Sequence, residues 1–479
     1  MKLGHELRRL ARHSVVYGLG GLVSRILAVV LLPLYTSYLL PGSYGRVETL
    51  TAASAVAVIV LRMGVSTAFF RFYFDHKDAA RRLVVVRTSF WFTMTMATTG
   101  LVLSLVFASQ LAHALPKMGD HPELIRAAAI GFWAQMNYEQ LTSLFRVEER
   151  SVAFAIASVA NVLITIGATV VLIVGFHEGA LGLLVGNFLG TLCVYLVLLA
   201  YRREQLGLQF DRALLRGMQK FGLPLVPSAL ALWAINFIDR VFVAAYKSQA
   251  EVGVYSAAIK IASVITFVMF AFRTAWPAFA YSIEDDADAR RTYSFVLTYL
   301  LVVASWIALA LGALAPWITR AMVAHEYDRA QKGIALLAFA GVVYAGYTVL
   351  AIGSGRARRT QFNWIVSGAG AGLNIGLNFW LVPRYGMVGA AIATAAAYVG
   401  LFVGMTFYAQ RVYPVAYQWR RVVTALGAGA GLTVAARATH LGLAPSFLVV
   451  LAYPLSLALL GFYLPAERAR LRRLVPLLR

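Results

Sequence analysis

Residues 43–56 read SYGRVETLTAASAV, and residues 251–265 read EVGVYSAAIKIASVI. The glycines at 45 and 253 are 208 residues apart. A second pair of similar stretches, EGALGLLVGNFLG at 178–190 and YGMVGAAIATAAA at 385–397, has its matching glycines, Gly182 and Gly389, 207 residues apart. Two matches at nearly one offset indicate an internal duplication. The sequence therefore predicts two similar halves.

The composition is that of a membrane protein. Of the 479 residues, 60% are hydrophobic and 13% are charged, whereas a soluble domain has about 25% charged residues. A spanning helix needs about 20 apolar residues. An all-α polytopic protein is predicted, with about fourteen spans at 14–39, 47–70, 84–109, 124–145, 151–175, 179–200, 221–246, 252–275, 293–315, 331–353, 362–382, 387–409, 421–436 and 445–464.

The spans divide into two sets of six and an extra pair. The predicted units are an N-lobe at 1–200, a cytoplasmic linker at 201–220, a C-lobe at 221–409, and an accessory pair with a basic tail at 410–479. Both halves start on the same side of the membrane, so they are parallel repeats. Transporters built from such repeats commonly bind substrate near the midplane between the halves. This organisation favours alternating access over enzymatic catalysis.

The distribution of basic residues orients the chain. The formal charge is +22, and the basic residues lie in short loops between apolar runs, which argues against a nucleic-acid partner. With a cytoplasmic N-terminus, 30 Lys and Arg fall on the cytoplasmic side and 8 on the other. By the positive-inside rule both termini are predicted to be cytoplasmic, with anionic membrane lipids as partners of the basic loops. The single cysteine, Cys193, and the scattered histidines suggest no disulfide, metal or cofactor.

Six charged residues lie deep in predicted spans, where each costs about 2.5–3.5 kcal/mol and usually faces a bundle interior or a wet cavity. The cations occupy spans 1, 2, 7 and 8, which are repeat equivalents, and the acids lie in spans 4 and 7. Four cations and two carboxylates leave a surplus of about two positive charges. We therefore expect an anion-binding cavity between the halves, lined by Arg25, Arg62, Arg240 and Lys260, with Glu139 and Asp239 as the acids.

The residue types suggest different roles. An arginine fork can hold phosphate oxygens and keeps its charge when desolvated. Asp239 shares a helix face with Asn236 and is predicted to hold an arginine in place, with ion coupling as the alternative. Glu139, one turn from Gln135, is predicted to be a counter-ion or a polar helix contact, with H⁺ or Na⁺ coupling as the alternative.

Three stretches resemble bacterial polysaccharide exporters, the O-antigen-type flippases of the multidrug/oligosaccharidyl-lipid/polysaccharide superfamily. They are GLVSRILAVVLLPLYTSYLLPGSYGRVETL at 21–50, NFIDRVFVAAYKSQAEVGVYSAAIKIAS at 236–263 and YGMVGAAIATAAAYV at 385–399. The resemblance implies two six-helix lobes in a V, an accessory pair, and rocker-switch transport across the bacterial cytoplasmic (inner) membrane. It implies an undecaprenyl-diphosphate-linked glycan as substrate, and glycan-assembly proteins as partners.

On that resemblance, Arg25 matches the arginine of span 1, and Asp239 with Arg240 matches the Asp-Arg pair of span 7. The alternatives are a lipid II or teichoic-acid-precursor flippase, a cation-coupled drug exporter of the same superfamily, and a membrane-embedded glycan polymerase. A drug exporter predicts an acidic or neutral cavity, and a polymerase predicts a large external loop with a catalytic cluster.

Overall fold

The computed structural model describes residues 26–27, 29–75, 78–359, 362–465 and 467–468. The described residues are helical throughout and contain no strand, which confirms the predicted all-α class. They form twenty α-helices, α1 to α20 in chain order: Leu32–Tyr38, Pro41–Arg62, Val65–Asp75, Ala79–Val106, Ala108–Ala114, Pro122–Val147, Ser151–Val170, Gly179–Arg202, Arg212–Gly222, Val226–Tyr246, Gln249–Ala262, Val264–Ser282, Asp286–Ala313, Ala315–Met322, Gln331–Arg356, Asn363–Tyr385, Met387–Val412, Trp419–Ala438, Leu443–Leu451 and Tyr453–Leu459.

Ten helical stretches in the described part of the chain are long and apolar enough to cross a membrane, and they coincide with predicted spans 2, 3 and 5 to 12. They are Pro41–Asp75, Ala79–Val106, Ser151–Gly175, Gly179–Arg202, Arg212–Tyr246, Gln249–Phe267, Asp286–Ala313, His325–Arg356, Asn363–Tyr385 and Met387–Val412. The chain is thus a multi-pass membrane protein.

The other four predicted spans have different outcomes. Helices α6 and α18 lie at spans 4 and 13, and α6 carries the polar residues Gln135, Asn137 and Glu139. Span 14 is divided into two helices, α19 and α20. Helix α20 has Pro454 in its first turn. Half of span 1 lies outside the described residues, and its described end contains α1. The total of fourteen spans therefore remains a prediction with which the observed helices agree.

Aspartates begin three helices that start in polar loops. The side chain of Asp78 accepts hydrogen bonds from backbone N–H groups in the first turn of α4, and Asp211 and Asp285 do the same for α9 and α13. The first N–H groups of a helix have no partner within the helix, so a carboxylate at this position stabilises the helix end. These caps determine where α4, α9 and α13 begin.

The chain divides into two compact units. The first comprises Met1–Ala257 and Gly370–Ala393, and the second Ala258–Ala369 and Thr394–Arg479. A core of the first unit packs aromatic and aliphatic side chains of α3, α4, α6 and α8, including Phe69, Phe90 and Tyr195. A core of the second unit joins α13 to the last three helices. The predicted lobe boundaries remain a prediction.

The two repeat-related glycines of the opening stretches lie at one close helix contact, inside the first unit. A Cβ placed on Gly45 of α2 would lie 1.7 Å from the carbonyl oxygen of Gln249 and 2.9 Å from the nitrogen of Gly253. A Cβ on Gly253 of α11 would lie 2.1 Å from the carbonyl oxygen of Pro41. Only glycine permits backbones to approach so closely. The contact brings the beginning of α2 against the beginning of α11, beside Glu48.

Candidate functional site

Arg240 lies on α10 and meets Glu48, which lies on α2. Its Nε is 3.5 Å from Glu48 Oε2, and the two side chains are 8% and 14% exposed. The Nη1 atom donates to the carbonyl oxygen of Asn236 at 2.9 Å, and the guanidinium lies 5.1 Å from the centre of the Phe237 ring. Nε is buried without a hydrogen-bond partner among the described residues. The guanidinium is thus held by charge and stacking, and part of its donor capacity is unused.

Asp239 holds α10 and α11 together. One carboxylate oxygen accepts the backbone N–H of Arg240 at 2.8 Å, and the other accepts the hydroxyl of Tyr255 at 2.5 Å. Its Oδ1 is also 3.8 Å from Nη1 of Arg240. The Asp239 residue is 2% exposed and Tyr255 is fully buried. This geometry agrees with the predicted positioning role. Asn236 is exposed, and its Nδ2 donates to Leu232 of the same helix, so its contribution to Arg240 is its backbone carbonyl.

The sequence did not reveal Glu48. It lies one residue inside the predicted start of span 2, where a charged residue is indistinguishable from an interfacial one. The repeat offered a signal, because Glu48 follows Gly45 by three residues and thus lies one turn from the close contact with α11. Next to it, the hydroxyl of Thr49 donates to Gln249 Oε1 at 2.8 Å, and Gln249 donates onward to the carbonyl of Pro116. Glu48 is therefore part of a polar junction between α2 and α11.

Arg62 and Glu139 form a separate pair. Arg62 Nη2 is 2.7 Å from Glu139 Oε2, with side chains 20% and 38% exposed. Gln135 donates to Glu139 Oε1 at 2.9 Å, which places these two residues on one face as predicted. Fourteen residues separate Glu48 from Arg62 along α2, or about 21 Å at the helical rise. The structure therefore does not bring Arg62 to Arg240.

The remaining predicted cations are Arg25 and Lys260. Arg25 lies outside the described residues. Lys260 lies in the last turn of α11, where it is half-buried. The described residues of this set contain three cations and three carboxylates, because Glu48 joins Asp239 and Glu139. The predicted surplus of positive charge includes Arg25 and stays a prediction, and Glu48 adds a third carboxylate to the two expected from the sequence.

The chemistry of the Arg240 cluster suits anion recognition. No group of three or more His, Cys, Asp or Glu side chains that could hold a metal occurs among the described residues. The Arg240 cluster instead joins three helices through one guanidinium and two carboxylates. Such a cluster can exchange one anionic partner for another, because a guanidinium binds carboxylate and phosphate with similar geometry.

Comparison with known proteins identifies the fold and family. An inward closed conformation of the lipid II flippase MurJ has a TM-score of 0.73 at 12% sequence identity, covering 93% of this chain and 98% of that one. An inward-facing multidrug resistance MATE family transporter of the MOP superfamily has a TM-score of 0.66 at 15% identity, covering 81% and 94%. An outward-facing one has a TM-score of 0.61 at 16% identity, covering 84% and 95%.

No curated protein matches the chain. Its residues 38–332, more than half of its length, match the model of a family described as polysaccharide biosynthesis protein. This match and the shared fold confirm the resemblance to polysaccharide exporters that was inferred from the sequence. The chain belongs to the polysaccharide biosynthesis protein family and has the fold of the MurJ and MATE transporters of the MOP superfamily.

Proposed function

We propose that this protein is a flippase that moves an anionic polyprenyl-diphosphate-linked oligosaccharide from the inner to the outer leaflet of the bacterial cytoplasmic membrane by alternating access. Membership of a polysaccharide biosynthesis family supports a glycan cargo. The likeness in fold to a protein named lipid II flippase supports a lipid-linked one. Transport, and not catalysis, is then the activity.

The observation that carries the proposal is the buried guanidinium of Arg240. An arginine in a membrane helix is costly and is usually kept for a function. Here it is 8% exposed, has a carboxylate partner on a neighbouring helix, and has a buried Nε without a hydrogen bond among the described residues. In the transport cycle the substrate diphosphate replaces Glu48 as the anionic partner of Arg240, while Asp239 keeps α10 in register with α11. The exchange keeps the Arg240 guanidinium paired with an anion in both the empty and the loaded state.

The test uses purified protein in liposomes with a fluorescent undecaprenyl-diphosphate-linked sugar, and a membrane-impermeant quencher reports the translocated fraction. Arg240→Gln should slow translocation about tenfold or more, since hydrogen bonds to charged groups contribute about 1.5–3 kcal/mol. Arg240→Lys should retain part of the rate because the charge remains.

The matched control is Arg202→Gln. Arg202 is also buried, at 2% side-chain exposure, and its Nη1 is 2.7 Å from Glu148. This variant should lose stability but translocate at the wild-type rate per folded molecule. Equal rates for Arg240→Gln and wild type, with both proteins folded, would refute the assigned role of Arg240. Lipid II and teichoic-acid-precursor analogues in parallel reactions identify the glycan, and mass analysis of the products tests for polymerisation.

One observation favours a second candidate, a cation-coupled exporter of small molecules. Arg240 faces both Glu48 and Asp239, so this cluster of described residues has one more negative than positive charge. Two carboxylates in a membrane suit coupling to H⁺ or Na⁺. Efflux of a cationic dye driven by a proton or sodium gradient, without translocation of any lipid-linked sugar, would favour this candidate over the flippase.

The proposed orientation places both termini in the cytoplasm, where basic loops contact anionic lipids and glycan-assembly proteins have access. A Cys193→Ser background allows single cysteines to be placed at Arg320 and Arg411. An impermeant thiol reagent applied to intact cells without their outer membrane should label position 320 and not 411. Labelling of position 411 alone would reverse the orientation.

A further inference from the structure

A polar cavity lies within the second unit, where the ends of four helices meet. Its volume is about 820 Å³, and it is lined by the end of α12, the beginning of α13, the residues that close α15, and the end of α17. We call it the arginine pocket, after Arg290, Arg356, Arg358 and Arg359. All four segments lie on the side of the membrane predicted to be cytoplasmic. None of the residues that line the arginine pocket belongs to the site around Arg240.

Arg356 forms a wall of the arginine pocket. Its Nε donates to Asp286 at 2.8 Å, its Nη1 to the carbonyl of Ala280 at 3.3 Å and to the Tyr293 hydroxyl at 3.4 Å, and its Nη2 to the carbonyl of Glu284 at 3.2 Å. Its three nitrogens are thus engaged. Arg356 ties the end of α15 to α12 and α13, and it uses the Asp286 carboxylate in doing so.

The next residues close α15 with a left-handed residue that is not glycine. The N–H of Arg359 donates to Ser354 and that of Arg358 to Gly355, the pattern of a Schellman motif. Arg358 has φ +53°, in the left-handed region where glycine is the usual residue because it has no Cβ. The helix dipole favours a cation near this end, but it does not require a non-glycine residue at this position.

Three arginines of the pocket have no carboxylate partner among the described residues. The side chains of Arg358 and Arg359 are exposed and make no ion pair there. Arg290 lies 4.9 Å from the centre of the Tyr413 ring, and its Nε is buried without a hydrogen-bond partner in the described part of the chain. Asp286, one of the two acids of the lining, is paired with Arg356. The other acid, Glu284, faces the three remaining positive charges of Arg290, Arg358 and Arg359. The lining, with four arginines and two acids, therefore carries a net charge of about +2.

Aromatic side chains beside the pocket indicate its depth in the membrane. The hydroxyl of Tyr408 donates to the carbonyl of Arg359 at 2.5 Å, and its ring lies edge-on to Phe362 at 5.9 Å. Phe362 and Trp364 are 48% and 63% exposed. Exposed aromatic rings of this kind collect at the level of the lipid headgroups. Phosphates of the surrounding bilayer therefore stand at the height of the arginines.

We propose that the arginine pocket binds the phosphate of an anionic phospholipid headgroup, with Arg290, Arg358 and Arg359 as its ligands. Guanidinium groups match phosphate oxygens in geometry and charge. Arg356 does not bind the lipid but positions the other three. The occupant is a resident lipid and not the transported substrate. The inference rests on the proposed orientation, in which basic loops contact anionic lipids, and is independent of the proposed transport.

The test measures lipid retention by native mass spectrometry of the whole protein, titrated with phosphatidylglycerol, phosphatidylcholine, inorganic phosphate or inorganic diphosphate. Wild type should retain phosphatidylglycerol in preference to phosphatidylcholine. The variant Arg358→Gly/Arg359→Gln should bind phosphatidylglycerol about tenfold more weakly, as expected from the loss of charged hydrogen bonds. Glycine at 358 also relieves the left-handed backbone, so the Tm should stay equal or rise. Weaker binding with an unchanged or higher Tm separates lost recognition from misfolding.

The control is Arg420→Gln. Arg420 is exposed, belongs to the same unit and lies on the same predicted side, but it does not line the pocket. This variant should bind phosphatidylglycerol as wild type does. Wild-type affinity in the Arg358→Gly/Arg359→Gln variant overturns the proposal. So does occupancy by inorganic phosphate or diphosphate with no preference for phosphatidylglycerol, which identifies a soluble ligand.

Discussion

Replacement of Gly45 by alanine tests the contact between α2 and α11 that places Glu48 beside Arg240. The added Cβ would lie 1.7 Å from the Gln249 carbonyl oxygen, and ordinary contacts begin at 3.4 Å, so the helices must separate by as much as about 1.7 Å. Backbone atoms cannot rotate away as a side chain could. The variant must therefore shift one helix or distort both.

The expected cost follows from three effects. Overpacking a tight contact costs about 1–3 kcal/mol. Separation also stretches the buried hydrogen bond from Thr49 to Gln249, 2.8 Å long, which contributes about 1 kcal/mol. Alanine is favoured over glycine within a helix by about 1 kcal/mol, which opposes the first two. The net loss of stability is about 2 kcal/mol.

The control is Gly42→Ala in the same helix, where a Cβ would meet nothing within 4 Å. Thermal unfolding in detergent should show a lower Tm for Gly45→Ala and an unchanged or slightly higher Tm for Gly42→Ala. Gly253→Ala should resemble Gly45→Ala, and the double variant should lose less than the sum, because both changes relax the same contact. Equal Tm values for Gly45→Ala and Gly42→Ala would show that the two helices do not approach as described.

Two further predictions concern buried and interfacial carboxylates. Tyr255→Phe removes the hydroxyl that donates to Asp239 and leaves a buried acceptor, so it should cost about 1–3 kcal/mol of stability; an unchanged midpoint of chemical unfolding in detergent would contradict this. At the C-terminal end, burial would raise the pKa of Glu467, but hydrogen bonds from Tyr299 and the Leu464 N–H, with the charge of Arg421, lower it overall. A lowered pKa stabilises the fold above the unfolded value of about 4.3, and the gain is lost as the pH falls through the folded pKa. The Tm difference between wild type and Glu467→Gln should therefore be present at pH 7 and shrink below about pH 4.3; a difference that grows with acidity would contradict the assignment.

The carboxylate partners of Arg62 and Arg240 affect how this fold can bind an anion. The sequence predicts a cationic cavity with Glu139 and Asp239 as its acids, and in the structure Arg62 pairs with Glu139 and Arg240 with Glu48. A paired arginine costs less in a membrane than an isolated one. By exchanging its anionic partner, the same guanidinium can be paired in both the empty and the loaded transporter. The Arg240→Gln variant tests this exchange.

Local properties of the sequence account for much of what it predicted. Apolar runs of spanning length identify the helices, because hydropathy depends only on composition within a window. The spacing of Gln135 and Glu139 placed them on one helix face, since residues four apart are neighbours there, and in the structure they form a hydrogen bond. The depth of Asp239 and Arg240 within span 7 identified them as exceptional. Each of these inferences depends only on residues within a single helix.

The sequence by itself therefore determined the all-α membrane class, the positions of most spans, the internal repeat and the family resemblance. Only the tertiary structure decided that Glu48 meets Arg240, that Arg62 belongs to a second pair about 21 Å along α2, and that four helix ends assemble the arginine pocket. Partners across helices depend on the rotation and register with which whole helices pack. That packing is set by close contacts such as Gly45 against Gln249, and no single-helix pattern encodes it.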